Sequence, residues 1–178
     1  MATQLTAEDA RQSLTNHVEQ KGVEVFGKYG PDLGWDGLQR LLEDRVFVRY
    51  PCEIVFDATP FLPGEFAHPV QKGALPEEGF TMFVHPSFEA RLDCAVAGVL
   101  YQLVAVNYGD FASSDEAESF GAAALGLTRD EYYGMLCAMS DEVGGATETV
   151  DVAHAAHHHD HGQGGCSCGG GGGGCSNH

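Results

Sequence analysis

The stretch LDCAVAGVLYQLVAV, residues 92–106, decides the fold because it is apolar on nearly every side. A helix that is hydrophobic all round is normally buried on all sides, so we expect a central helix that the rest of the chain surrounds. Asn107, Tyr108 and Gly109 follow the run and end the helix. The run falls short of the roughly 18 apolar residues that a membrane-spanning helix needs, so none is predicted.

Four further helices are predicted around this centre. Capping-box patterns, in which a hydroxyl residue is followed three positions later by an acid, place helix starts at Thr6, Ser113 and Thr128. The helix after Thr6 should end near Phe26, where Gly27, Gly30 and Pro31 follow. Apolar residues at helical spacing predict a short helix after Asp32. The predicted ranges of the three capped helices are about 7–26, 113–124 and 128–143, and the short helix has Trp35, Leu38, Leu41 and Leu42 on one face.

Two strands are predicted, separated by a long loop. Residues 46–56 are rich in β-branched and aromatic side chains, and Pro51 within them favours an edge strand or a bulge. Residues 80–85 form the second predicted strand, and residues 58–79, with four prolines, are expected to be an irregular loop. The predicted fold class is α+β: a small, mostly helical domain with one short antiparallel pair of strands, followed by a disordered tail.

The charge excludes one broad class of function. The 178 residues include 26 acids against 9 Lys and Arg, a net charge of −17 with histidine neutral. Proteins that bind nucleic acid or anionic membranes do so through clustered basic residues, so neither partner is expected. The first twenty residues contain no apolar segment typical of a secretory signal, and we expect a cytoplasmic protein.

The composition changes abruptly near residue 144. Residues 144–178 contain no Lys or Arg, but they contain six of the nine histidines, three of the six cysteines and eleven of the 24 glycines. The nine basic residues and 23 of the 26 acids lie in residues 1–143, which therefore carry a net charge of −14. The chain is predicted to consist of an acidic globular domain, 1–143, and a flexible metal-binding tail, 144–178.

The tail carries the strongest chemical signal. Imidazole nitrogens and thiolate sulfurs hold zinc, nickel and copper, and their spacing here fixes no rigid zinc-finger geometry. If residues 154–161 became helical, four of the histidines would share one face. We expect a bound metal, nickel or zinc with copper possible, and a role in metal storage, buffering or delivery to a protein client. The alternative is a low-complexity tail or a purification tag. A plain tag would not contain the cysteines, or Asp160 and Gly162 among the histidines. The predicted ligands are His154, His157, His158, His159, His161, Cys166, Cys168, Cys175 and His178.

The last 25 residues, HAAHHHDHGQGGCSCGGGGGGCSNH, resemble a known type of tail. They are similar to the His/Cys/Gly-rich C-terminal tail of the FKBP-type prolyl isomerase that handles nickel in bacteria. The likeness to the histidine-rich ends of urease and hydrogenase accessory proteins is looser. The resemblance implies nickel or zinc delivery, storage or buffering by the nine donors named above. Residues 1–143 show no FKBP-like pattern of strands, so isomerase activity is not implied.

Two other functions remain open for the body. His68 or His85 could pair with Cys52 or Cys94 as base and nucleophile, which would make the body an enzyme, or an enzyme subunit, with a pocket around the 58–79 loop. The body could instead be a structural or interaction protein, and an oligomer is compatible with either role. Residues 120–136 have a helix-turn-helix layout, but the acids that open its second helix favour a packed helical hairpin.

Overall fold

The computed structural model describes residues 6–145, and the fold of this part is α+β. Five helices and a small three-stranded sheet make up this part. The helices are α1 (Ala7–Tyr29), α2 (Trp35–Glu43), α3 (Leu92–Tyr108), α4 (Ser114–Leu125) and α5 (Arg129–Gly145). The strands are β1 (Cys52–Phe56), β2 (Ala67–Gln71) and β3 (Phe80–Val84). The sheet contacts α2 and α3.

Helix α3 is the buried centre, as the sequence predicts. Ten of its residues are buried, and it contacts α2, α4, α5 and the sheet. The segment Leu92–Phe111 is long and apolar enough to cross a membrane, judged by length and composition alone. The core helix of a folded domain can meet the same criteria, and this segment contains the core helix α3. The fully buried Tyr132 of α5 donates a hydrogen bond to the Ala97 carbonyl of α3 at 2.7 Å, which joins the two helices.

The predicted helix starts are confirmed by their side-chain contacts. The Asp9 N–H donates to the Thr6 hydroxyl at 3.1 Å, and the Thr6 N–H donates to the Asp9 carboxylate at 2.9 Å. Ser113 with Glu116 and Thr128 with Glu131 make the same kind of contact. These contacts satisfy backbone donors that the first turn of a helix otherwise leaves unpaired.

Glu116 also links α4 to α1. Its carboxylate is 2% exposed and accepts hydrogen bonds from the Thr15 hydroxyl at 2.6 Å and from the Ser113 N–H at 2.8 Å. Burial alone would raise the pKa of Glu116, but these hydrogen bonds outweigh it and hold the pKa at about 2. The carboxylate is therefore ionised inside the helix contact at neutral pH.

The prediction of a single antiparallel pair of strands is wrong. The strand order is β1-β3-β2, and β1 pairs with β3 in parallel. The predicted irregular loop contains β2, which pairs antiparallel with β3 and reverses the chain so that β3 runs in the same direction as β1. Pro69 made β2 look like a loop in the sequence, since proline is rare within strands. An edge strand tolerates proline because only one side of the strand is hydrogen-bonded.

The first predicted strand is shorter than expected. Residues 44–50 form a turn at 45–47 followed by irregular backbone rather than a strand, because the backbone N–H groups of Phe47 and Val48 donate to the Asp44 carbonyl at 3.0 and 2.9 Å. The amide of Asn107, at the end of α3, fixes this segment: it accepts from the Arg49 N–H and donates to the Phe47 carbonyl, both at 2.8 Å. The turn therefore lies against the end of the central helix.

Candidate functional site

The nine predicted metal ligands lie outside the described residues. His154, His157, His158, His159, His161, Cys166, Cys168, Cys175 and His178 all follow Gly145, the last residue that the structure describes. Within residues 6–145, no group of three or more His, Cys, Asp or Glu side chains is placed to hold a metal ion. The tail donors therefore remain the metal ligands that the sequence predicts.

Cys52 and His68 occupy opposite faces of the sheet. Cys52 pairs with Phe80, and its side chain shares the inward face with the buried Met82 and Val84. His68 pairs with Phe83 on the outward face. Burial raises the pKa of the Cys52 thiol to about 11, so this thiol is protonated at neutral pH. The sheet geometry separates this cysteine from this histidine.

His85 and Cys94 have structural surroundings of their own. The His85 ring stacks on Phe61 at a centroid distance of 5.9 Å, and its Nδ1 accepts from the Ser87 N–H at 3.3 Å. Cys94 lies in the first turn of α3, where burial, followed by the charge of Asp93, raises the pKa of its thiol. No hydrogen bond between described residues joins either histidine to either cysteine.

Besides a wider groove that Pro69, Gln71 and Pro76 help to line, the 58–79 loop borders two small cavities. One, of about 180 Å³, is lined by residues 58–65 with His85 and Val143. The other, which we call the loop pocket, has about 240 Å³ and lies between residues 64–67 and helices α3, α4 and α5. Its polar lining comes from Glu65, Tyr101, Gln102, Glu118, Tyr133, Cys137 and Ser140.

The loop pocket is held by contacts at its rim. The Ser140 hydroxyl donates to the Gly64 carbonyl at 2.9 Å, and the Gln102 amide donates to the Ala67 carbonyl at 2.8 Å. Arg129 donates to the Glu118 carboxylate at 2.9 Å and also pairs with Asp115, so one guanidinium is shared by two acids. The loop is thus tied to α3 and α5, and the pocket offers a weakly polar cavity without a histidine.

Sequence reasoning missed the residues of the loop pocket. Tyr133 and Cys137 are four positions apart on α5, so they share a face, and their contact raises the pKa of Tyr133. Tyr132, one position before Tyr133, is fully buried, whereas Tyr133 is 54% exposed. The i, i+4 spacing of Tyr133 and Cys137 was the signal in the sequence that could have placed them on one face of the helix.

Comparison of the chain with protein-family models, with curated proteins and with solved structures found no match.

Proposed function

We propose that this protein is a transition-metal-binding protein of the cytoplasm that stores, buffers or delivers nickel or zinc through its C-terminal tail. The observation that carries the proposal is the concentration of six histidines and three cysteines within residues 154–178, where no Lys or Arg interrupts them. Neutral imidazole and thiolate are the donors that these metals prefer. The resemblance to nickel-handling tails supports the same class of ligand.

The charge of the body supports metal capture. Residues 1–143 carry a net charge of −14, and an acidic surface raises the local concentration of divalent cations around the molecule. The body's own carboxylates form no metal-binding group within residues 6–145. In this proposal the body attracts the cation and the tail donors coordinate it. The same acidic surface would dock a basic region of a client protein that receives the metal.

The test is a calorimetric titration of the full chain with Ni(II), Zn(II) and Cu(II). A full-length variant in which the six tail histidines are changed to Gln and the three tail cysteines to Ser should lose metal uptake. A control variant, His68→Gln with Cys94→Ser, removes the same types of donor from the body and should bind as the parent does. Equal uptake by the tail variant and the parent would refute the tail as the site.

The pH dependence of binding provides a second test. The ligands must lose protons before they coordinate, and histidine has an ordinary pKa of about 6.5. Metal affinity should therefore rise from about pH 5 to about pH 8 as the imidazoles and then the thiols deprotonate. An affinity that is constant over this range would point to carboxylate ligands instead.

A further inference from the structure

A basic concavity lies where α1, the 44–50 turn and the end of α3 meet. Its volume is about 260 Å³, and Lys21, Arg45 and Arg49 line it together with His17 and Tyr108. These are three of the nine Lys and Arg of the chain, and no carboxylate from residues 6–145 lines the same cavity. We call this cavity the basic pocket. Such a concentration of positive charge is unexpected in a body with a net charge of −14.

The two guanidinium groups of the basic pocket are available to a ligand. Neither Arg45 nor Arg49 forms an ion pair with a carboxylate of the described residues. Arg45 donates one hydrogen bond to the Val48 carbonyl at 3.3 Å, and the guanidinium of Arg49 lies 5.5 Å from the centre of the Tyr50 ring. Most of their N–H groups therefore have no hydrogen-bond acceptor among residues 6–145. Planar N–H forks of this kind match phosphate and carboxylate oxygens.

The third cation is shared with one acid. Lys21 pairs with Glu24 at 2.8 Å, and the Glu24 side chain is 41% exposed. An exposed ion pair of this type contributes little free energy, so Lys21 can leave Glu24 and turn toward an incoming anion. Burial raises the pKa of Tyr108, and the positive charges of Lys21 and Arg49 oppose that change. Both cations thus act on the same hydroxyl at the wall of the pocket.

The fold holds the pocket in place before any ligand arrives. Asn107 is 9% exposed, and its amide bonds to backbone groups of Phe47 and Arg49 at 2.8 Å each. These two bonds hold the turn from which Arg45 and Arg49 project. A preformed site binds more tightly because less conformational freedom is lost on association.

A wider groove of about 870 Å³ adjoins the basic pocket and shares Arg49, Asn107 and Tyr108 with it. Its lining includes the rings of Tyr50, Phe80 and Phe111. Phe111 is 87% exposed, which is unusual for so large an apolar side chain. Asp110 is the one carboxylate from residues 6–145 that lines the groove. One end of the combined site is therefore cationic and the other is aromatic.

We propose that this combined site binds a small organic phosphate, with its phosphate in the basic pocket and its ring against the aromatic groove. Three cations match a phosphate monoester, which carries about two negative charges at neutral pH, better than they match a single carboxylate. The aromatic rings supply a stacking surface for a planar group. The site lies entirely within the body and does not depend on metal binding by the tail.

The test compares three probes against the full chain by titration calorimetry, with EDTA present so that no tail metal takes part. Phenyl phosphate carries both the charge and the ring, inorganic phosphate only the charge, and benzoate a ring with a single charge. Phenyl phosphate should bind most tightly. The double variant Arg45→Gln/Arg49→Gln should weaken it by about tenfold or more, because hydrogen bonds to charged groups are strong.

The matched control is Arg11→Gln/Arg40→Gln, which removes the same charge from exposed residues that line neither cavity. It should leave the affinity unchanged at physiological ionic strength, where distant surface charges are screened. Phe111→Ala should reduce the advantage of phenyl phosphate over inorganic phosphate. Three results would each overturn the proposal. They are an absence of saturable phosphate binding, equal losses of affinity for phenyl phosphate in the two double variants, and benzoate that binds as tightly as phenyl phosphate.

Discussion

The contact between α1 and α4 makes a sharp prediction about two glycines on the same helix. A Cβ atom placed on Gly22 would lie 2.6 Å from the Phe120 carbonyl oxygen and 2.8 Å from the Ala123 Cβ. A Cβ placed on Gly27 would meet no atom within 4 Å. Gly22→Ala should therefore destabilise the protein, whereas Gly27→Ala should stabilise it.

The magnitude follows from two opposing terms. Alanine is favoured over glycine inside a helix by about 1 kcal/mol, and both variants gain up to this amount. At Gly22, the obstacle is backbone on α4, so the helices must separate by roughly 1 Å to restore ordinary contact distances. Overpacking of this kind costs about 3 kcal/mol at the upper end of its usual range. The net loss of unfolding free energy for Gly22→Ala is then about 2 kcal/mol.

Urea unfolding followed by circular dichroism measures both effects. Gly22→Ala should lower the transition midpoint at an unchanged slope, and Gly27→Ala should raise it by a free energy of up to about 1 kcal/mol. A Gly22→Ala protein as stable as the parent, with Gly27→Ala stabilised, would show that α1 and α4 do not meet at Gly22.

Three further variants test other contacts of the fold by the same unfolding assay. The carboxylate of Glu116 has its pKa lowered in the folded state, so its contribution to stability is present above the unfolded pKa of about 4.5 and is lost as the pH falls toward 2. Glu116→Gln should therefore flatten the dependence of the unfolding free energy on acid pH, and an unchanged profile would contradict the lowered pKa. Gly126→Ala should lower the unfolding free energy by about 1–2 kcal/mol, because Gly126 ends α4 at a φ of +68° and an added Cβ would lie 2.5 Å from the Phe26 ring. An unchanged stability would refute the left-handed cap. Tyr132→Phe should lose about 1 kcal/mol of unfolding free energy with the hydrogen bond to Ala97, and an unchanged stability would contradict that bond.

The helical part of the fold could be predicted because its signals are local. The apolar run of α3 and the capping pairs at Thr6, Ser113 and Thr128 each act within one or two turns of chain. The structure confirms all of these elements to within a few residues. Helix α1 passes through Gly27, because a single glycine weakens a helix without ending it, and ends at Tyr29, where Gly30 and Pro31 follow.

The sheet could not be predicted in the same way because its pairing is set by distant residues. Strand β2 contains Pro69 and follows a proline-rich segment, so its own sequence favours a loop. Only its position on the edge, against β3, makes it a strand. The apolar residues 46–50 have the composition of a strand, but the Asp44 carbonyl and Asn107 hold them in a turn.

The basic pocket was hidden from the sequence for a similar reason. Arg45 and Arg49 are four residues apart within an apolar segment, and Lys21 comes from α1, so no local run of basic residues exists. The fold gathers them around the end of α3. The tail shows the opposite situation, because its donors are adjacent in sequence and predict metal binding without any fold.

Metal binding by the tail is tested most directly by elemental analysis of the full chain, purified without a metal-affinity column. We expect a stoichiometric amount of nickel or zinc that is lost when the nine tail donors are replaced and retained when His68 and Cys94 are replaced. Protein that contains no transition metal, or that retains the same metal content after the tail donors are replaced, would contradict it.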